Sequence, residues 1–207
     1  MSPFLRPSPS LTFPPLPDLS LRFTRQQYHR MQGAGIFAVG DRLELIQGEI
    51  CKMSPIGAKH ATCVAKLSEI LTLNLSQQAL IWVQNPIILN DRSEPQPDLA
   101  LLRRREDFYA QGLPTPGDIY LIIEVADSSI EYDRQIKIPL YAQAGIPEAW
   151  LIDVNAAMVS QYSQPARSGY KCIRSYEADD PLPMLTFPHV TLNLQAFLPG
   201  FSEPDPR

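Results

Sequence analysis

The sequence lacks any long hydrophobic run. Its longest unbroken apolar segments, Ala79–Val83 and Ile119–Ile123, are only five residues long. A helix that spans a membrane needs about 20 consecutive apolar residues, so an integral membrane protein built on such helices is excluded. The N-terminal residues also lack the charged start and the apolar stretch of a secretory signal. We therefore expect a cytoplasmic protein that does not interact with membranes.

Cysteine and positive charge are also scarce. The three cysteines, Cys51, Cys63 and Cys172, form no CxxC pair and leave one unpaired, so a disulfide framework is not expected. The net charge is −4, from 18 basic and 22 acidic residues. Proteins that coat nucleic acid by charge alone have a strongly basic domain. A DNA-binding protein of this charge needs a local basic patch, and an enzyme with an acidic metal site fits the balance better.

Proline, by contrast, is abundant. The chain has 21 prolines among 207 residues, and six of them lie in residues 1–20. Such a segment favours extended conformations and has no apolar periodicity. The composition therefore predicts a proline-rich N-terminal arm at 1–20, one domain at 21–198 and a short C-terminal tail at 199–207.

The pattern of apolar residues predicts alternating helices and strands. Thr24 and Gln27 form a capping box for a short helix that ends near Met31. Helical periodicity predicts a second helix from Ala58 to about Gln78 and a third over Ile136–Ala144. The predicted strands are Leu43–Ile46, Ile50–Met53, Ile81–Val83, Ile87–Leu89, Leu99–Leu102, Tyr120–Val125, Ala149–Val154, Val159–Tyr162 and Lys171–Ser175. This order predicts a mixed α/β (α+β) fold whose last two strands are an antiparallel extension. It contains no regular βαβ repeat and no GxGxxG or GxxxxGKS phosphate loop.

Three acidic residues lie within or at the ends of predicted strands. They are Glu44, Asp98 directly after Pro97, and Glu124 in the most continuous apolar strand. A carboxylate in so apolar a strand is costly to bury unless it binds a cation or a partner. A single residue of this kind is usually a structural acid. Asp98 and Glu124 on neighbouring strands would present their carboxylates together, and such oxygen ligands suit Mg²⁺.

Lys137 is the candidate residue for orienting a water or stabilising charge. Its i, i+4, i+8 spacing with Asp133 and Tyr141 predicts a shared helix face. A lysine beside two metal-binding carboxylates can orient a water or stabilise charge on a phosphate. A solvated Asp133–Lys137 pair is the alternative, and spacing alone leaves both open. Because proline is accepted at the start of a helix, we expect the regular helix to begin near Pro139, with Lys137 in the turn before it.

Two further basic sites have open interpretations. His60 opens the long helix, where a contact to a phosphate and a capping or surface role are equally compatible with the sequence. Arg103–Arg105 directly follow the Asp98 strand. This run fits a contact to a DNA backbone, although three basic residues more often form a solvated loop.

Five motifs occur in order along the chain. They are Glu44–Glu49, Gln96–Leu99, Glu124–Val125 followed by Ser128–Ser129, Asp133–Ile146, and Glu148–Asp153. Together they resemble the Uma family, bacterial endonuclease-like proteins of the restriction-endonuclease-like PD-(D/E)XK superfamily. The resemblance covers about residues 23–198.

The resemblance implies a mixed sheet flanked by helices and assigns residues to the superfamily pattern. Asp98 matches the aspartate of PD, and Glu124 matches the (D/E). Ala126 stands where the pattern has lysine, and Lys137 matches the position to which this family moves it. Glu44 matches an early acidic residue that assists the metal site.

The implied activity is hydrolysis of DNA by an endonuclease that uses Mg²⁺ (or Mn²⁺). Asp98, Glu124 and the carbonyl of Val125 would hold the metal, Glu44 would complete or orient its shell, and Lys137 would position water or steady developing charge. A homodimer is expected because nucleases that cut both strands often mirror the symmetry of the duplex. The net charge of −4 and the displaced lysine support a second hypothesis, a catalytically inactive binding or assembly module of the same fold.

Overall fold

The computed structural model describes residues 20–198. The predicted arm at 1–20, apart from Ser20, and the predicted tail at 199–207 lie outside the described residues. The proposed domain limits therefore stay predictions. Within the described range, no helix combines the length and the apolar character needed to cross a membrane.

The described chain begins with a capped helix and a hairpin. Helix α1 (Arg25–Gly33) starts at Thr24, which exchanges hydrogen bonds with Gln27 in the predicted capping box. The box satisfies two backbone N–H groups that the start of a helix otherwise leaves free. Strands β1 (Leu43–Ile46) and β2 (Glu49–Lys52) then pair antiparallel, close to the predicted limits.

The centre of the molecule is a six-stranded mixed sheet. Helix α2 (Ala58–Leu75) precedes it. The strands are β3 (Ala79–Val83), β4 (Leu99–Arg103), β5 (Ile119–Ala126), β6 (Glu148–Asp153), β7 (Met158–Ala166) and β8 (Gly169–Tyr176). Their spatial order is β3-β4-β5-β6-β7-β8, and only β5 and β6 run parallel. Two short strands, β9 (Pro181–Pro183) and β10 (Thr191–Asn193), form a separate pair. This arrangement confirms the predicted mixed fold with an antiparallel extension.

A helical crossover joins the parallel strands β5 and β6. It consists of α3 (Ile130–Tyr132), a π-helical turn (Asp133–Lys137) and α4 (Ile138–Gln143). Proline in a regular helix clashes with the carbonyl four residues earlier, and the wider turn directly before Pro139 is one way to accommodate it. The predicted helix over Ile136–Ala144 therefore starts earlier than expected, although the regular part begins beside Pro139 as predicted.

The predicted strand at Ile87–Leu89 is wrong. The N–H groups of Ile87 and Leu89 bond to the carbonyls of Pro95 and Ser93, whereas the N–H of Ile88 bonds to that of Pro114. Successive N–H groups thus reach two different segments instead of one partner strand. The apolar residues of this segment reflect burial, because Ile87 and Leu89 are both buried in the core.

The two faces of the sheet carry separate hydrophobic cores. Alternate residues of β5, including Leu121 and Ile123, pack in the cluster that contains α2. The intervening residues Ile122 and Ala126 pack in the cluster that contains α4. Because alternate side chains of a strand share one face, Glu124 extends toward the α4 side.

Helix α2 offers a direct test of its packing. Leu71 is fully buried, whereas Leu73 on the same helix is 76% exposed. We expect Leu71→Ala to lower the free energy of unfolding by about 2–5 kcal/mol, because it leaves a cavity in the core. Leu73→Ala is the matched control and should change stability by less than about 0.5 kcal/mol. Denaturant unfolding measures both, and equal losses would contradict the assigned orientation of the helix.

Candidate active site

Asp98 and Glu124 lie beside each other on neighbouring strands. β4 and β5 pair so that Leu99 is opposite Ile123, and the next step of this register brings Asp98 beside Glu124. The N–H of Val125 donates to Oδ2 of Asp98 at 2.9 Å. Both carboxylates are buried, so the apolar strand ends hold two acids side by side.

Glu44 reaches the same place from the hairpin. It lies on β1, and its Oε2 accepts the backbone N–H of Gln96 at 3.1 Å. A bridge between Leu45 and Glu94 fixes the hairpin against the segment that leads into Asp98. Glu44 is therefore adjacent in space to the Pro97-Asp98 motif, although about fifty positions separate them in the sequence.

Lys137 is buried among these acids. Its side chain is 4% exposed, and Nζ lies 2.8 Å from Oε1 of Glu124 and 3.4 Å from Oε2 of Glu44. The alternative of a solvated pair with Asp133 is therefore wrong. The crossover between β5 and β6 therefore returns a lysine to the end of β5, beside Glu124.

Asp133 and Tyr141 share the face of Lys137, as their spacing predicts. The Tyr141 hydroxyl donates to Oε1 of Glu124, and the Ser129 hydroxyl donates to Oδ2 of Asp133 at 2.6 Å. All of these acceptor carboxylates are buried. The π-helical turn does not rotate the three residues away from each other.

The electrostatics of these groups are unusual for a protein interior. Burial raises the pKa of Glu124 to about 8, although the ammonium of Lys137 acts in the opposite direction. Burial disfavours the charge on Lys137, but Glu124 and the other nearby acids outweigh it and raise the lysine pKa. Burial also opposes ionisation of Asp98, yet His60 and the N–H of Val125 lower its pKa. Opposed carboxylate pKa shifts in a cleft are typical of functional sites.

These groups open into one cavity of about 290 Å³, which we call the cleft. It is lined by the β1–β2 hairpin, the loop Ser54–Ile56, Asp98, the end of β5 and the segment from Asp127 to Lys137. Arg42 and Lys52 also line it and carry positive charge. The cleft therefore combines buried acids with basic groups able to attract a phosphate.

Two contacts to Asp98 have weak or no sequence signals. His60 Nε2 lies 2.9 Å from Oδ1 of Asp98, so the purely surface role is excluded for this histidine. Gln84 Nε2 donates to the same oxygen at 3.2 Å. Gln84 belongs to no motif, and only its position after an apolar strand marks it in the sequence.

The arginine run does not belong to the cleft. Arg103 ends β4, at the opposite end from Asp98. Arg103 and Arg104 donate to backbone carbonyls of Gly117 and Ser76, and Arg105 pairs with Asp107. These contacts favour the structural interpretation of the run over contact with a DNA backbone at this site.

The carboxylates of the cleft fit a magnesium ion that takes few protein ligands. A carboxylate has about four acceptor positions, two on each oxygen. Donors from described residues occupy both positions on Oδ1 of Asp98 and on Oε1 of Glu124, but only one on Oδ2 of Asp98. Oδ2 of Asp98 and Oε2 of Glu124 therefore retain free positions.

No group of three or more histidine, cysteine, aspartate or glutamate side chains within residues 20–198 is arranged to hold a metal ion. Two carboxylates are nevertheless enough for Mg²⁺, which commonly binds through one or two of them and completes its shell with waters and substrate phosphates.

The fold has a solved counterpart. A crystal structure described as a putative nuclease from Anabaena variabilis superposes with a TM-score of 0.64 at 16% sequence identity. The match covers 85% of this chain and 97% of the other. At this identity the likeness establishes the shared fold. No curated protein matches the chain by sequence.

The sequence also matches a protein family directly. The model of the Uma2 family, described as putative restriction endonuclease, matches residues 25–195. This range contains the hairpin, the six-stranded sheet, the crossover and every side chain of the cleft named above. The chain belongs to the Uma2 family of restriction-endonuclease-like proteins.

Proposed function

We propose that this protein is a metal-dependent endonuclease that hydrolyses phosphodiester bonds of DNA. The observation that carries the proposal is the convergence of Asp98, Glu124, Glu44 and Lys137 in one cleft. These four residues come from four separate segments of the chain, and burying their charges costs free energy that packing of the core alone would not require. The described function of the family and the fold of the Anabaena protein support the same activity.

Asp98 and Glu124 are the side chains that would hold Mg²⁺ (or Mn²⁺), through Oδ2 and Oε2. The carbonyl of Val125 would be a further ligand, and this residue also lines the cleft. When bound, the ion supplies charge neutralisation at the phosphate and activation of a water. The raised pKa of Glu124 supports a cation at this place, because a buried carboxylate needs compensating positive charge.

Lys137 keeps its proton at neutral pH and so acts as a donor in the cleft. Its ammonium has three N–H groups, and it forms ion pairs with two acceptors, Glu124 at 2.8 Å and Glu44 at 3.4 Å. The remaining N–H is available to a water or to a phosphate oxygen on which negative charge develops. Glu44 would have an orienting role, because it is a second carboxylate that forms an ion pair with the lysine.

The protein and the proposed DNA substrate both carry net negative charge. Besides Lys137 and His60, the cleft is lined by the basic side chains of Arg42 and Lys52, and we propose that these two contact the DNA backbone. With so few phosphate contacts, affinity for DNA should be modest and should fall with added salt. We also propose a homodimer, which would place two clefts on a duplex, and sedimentation of the full chain should give twice the monomer mass.

The activity is tested with the purified full-length protein. Supercoiled plasmid, single-stranded DNA and RNA are incubated with Mg²⁺, with Mn²⁺ and with a chelator. We expect cleavage of DNA that requires the divalent ion. Lys137→Met protein, purified in parallel, controls for contaminating nucleases. Binding of the ion without cleavage of any substrate would favour the inactive binding module instead.

A further inference from the structure

Gln84 occupies a backbone conformation that a glutamine rarely adopts. It follows the last residue of β3 and has a φ of 49°, in the left-handed region. In this conformation its N–H donates to the carbonyl of Asp98 at 3.0 Å and its side-chain amide donates to Oδ1 of Asp98 at 3.2 Å. Both of these contacts of Gln84 go to one residue. Strained backbone of this kind often accompanies functional sites.

His60 meets the same oxygen from the first turn of α2. Its Nε2 lies 2.9 Å from Oδ1 of Asp98. Because an ionised carboxylate only accepts hydrogen bonds, Nε2 must carry a proton. Among the described residues, Nδ1 of His60 is the buried side-chain nitrogen or oxygen atom that has no hydrogen-bond partner. An unsatisfied buried polar atom destabilises a fold, so stability alone does not account for a histidine at this position.

His60 and Gln84 contact one oxygen of the Asp98 carboxylate, and Val125 contacts the other. His60 and Gln84 fill both acceptor positions of Oδ1, and the N–H of Val125 fills one position of Oδ2. One acceptor position on Oδ2 is left, next to Glu124. The rotation of the carboxylate is fixed by three donors from three different elements.

We propose that His60 and Gln84 are positioning residues that hold Asp98 with a single free acceptor position directed at the divalent cation. This inference rests on the metal site of the proposed function. Residues that orient a metal ligand typically change metal affinity by about 10–100-fold when they are removed. Neither side chain contacts the reacting atoms in this assignment.

Two histidine variants separate positioning from packing. Glutamine places its Nε2 at the same number of bonds from Cα as Nε2 of histidine, whereas asparagine reaches only as far as Nδ1. His60→Gln should therefore bind Mn²⁺ and Mg²⁺ close to wild type in titration calorimetry. His60→Asn should bind about 10–100-fold more weakly. Equal affinities for the two variants would overturn the role of His60.

The glutamine has an equally sharp test. Gln84→Gly removes the amide but relaxes the left-handed backbone, so its melting temperature should not fall. Its affinity for Mn²⁺ should nevertheless fall about 10–100-fold. Gln164→Gly is the matched control, because Gln164 is exposed, has a φ of 59° and lies on β7, away from the cleft. Unchanged affinity in Gln84→Gly would overturn the role of Gln84.

The titration of wild type distinguishes failure of the proposed metal site from failure of the positioning roles of His60 and Gln84. If wild type binds neither Mg²⁺ nor Mn²⁺, the proposed metal site fails and this inference fails with it. If wild type binds and both His60→Asn and Gln84→Gly bind equally well, only the inference is overturned. Weaker binding in both variants, with wild-type melting temperatures, supports it.

Discussion

Asp98→Asn is expected to abolish binding of divalent cations and to reduce DNA cleavage by roughly a thousandfold or more. The change removes the negative charge that a cation needs beside Glu124. Metal catalysis supplies several kcal/mol of transition-state stabilisation, and about 4 kcal/mol corresponds to about three orders of magnitude in rate. Calorimetry with Mg²⁺ and Mn²⁺ and a plasmid cleavage assay measure the two effects.

The same variant should also lose stability. Two donors converge on Oδ1 of Asp98, so the asparagine oxygen will remain there and its NH₂ group will face the N–H of Val125. Two donors facing each other leave a buried group unsatisfied, which costs about 1–3 kcal/mol. Unfolding in denaturant therefore has to accompany the binding measurement.

Asp127→Asn is the matched control for charge. Asp127 also lines the cleft, but its Oδ1 accepts a hydrogen bond from Asn155 and it has no part in the proposed metal site. This variant removes the same charge from the same cavity and should bind Mg²⁺ close to wild type. Metal binding retained in Asp98→Asn would exclude Asp98 as a ligand and would remove the main support for the nuclease mechanism.

Local sequence signals were sufficient for most of the fold. The capping box at Thr24 fixed the start of α1 because its hydrogen bonds form within one turn. The continuous apolar run of β5 predicted a central strand, and its carboxylate was conspicuous because charge is rare in such a setting. The spacing of Lys137 and Tyr141 predicted a shared helix face, and both residues contact Glu124.

The remaining features depend on contacts between distant segments. The backbone N–H and the side-chain amide of Gln84 both donate to Asp98 in its left-handed conformation. Nothing in the neighbouring residues specifies a left-handed backbone there. The segment Ile87–Leu89 is apolar because the core covers it, and hydrophobicity alone does not distinguish a buried loop from a strand. The π-helical turn was not predicted either, since the sequence indicated only that the regular helix begins near Pro139.

The functional roles are a different matter from the geometry. Adjacent acids and a buried lysine support the proposed phosphodiester hydrolysis, while metal binding, substrate and oligomeric state are properties of complexes. Net charge opposes tight binding of DNA, and the cleft favours a cation. The most informative step is therefore to measure metal binding and DNA cleavage separately in variants of Asp98 and of Lys137.

Lys137→Met is expected to leave metal binding intact and to reduce cleavage by about 10²–10³-fold, since a donor aimed at developing charge is typically worth this much. Affinity for Mg²⁺ should rise, because the substitution removes a positive charge 2.8 Å from Glu124. The metal-free protein should be less stable, because breaking a buried ion pair costs about 3–5 kcal/mol. Added Mg²⁺ should restore part of that loss, since a ligand that binds only the folded state stabilises it.

Arg134→Met is the control that makes this pattern specific. Arg134 lies in the same π-helical turn and carries the same charge, but it is exposed and pairs only with Glu131 among the described residues. An exposed ion pair contributes at most about 1 kcal/mol, so this variant should keep its stability, its metal affinity and its cleavage. Asp98→Asn and Lys137→Met then differ in kind, because the first loses the metal and the second loses turnover while binding the metal more tightly. Full cleavage by purified Lys137→Met protein would exclude the lysine from the reaction and leave its burial beside Glu124 as a purely structural feature.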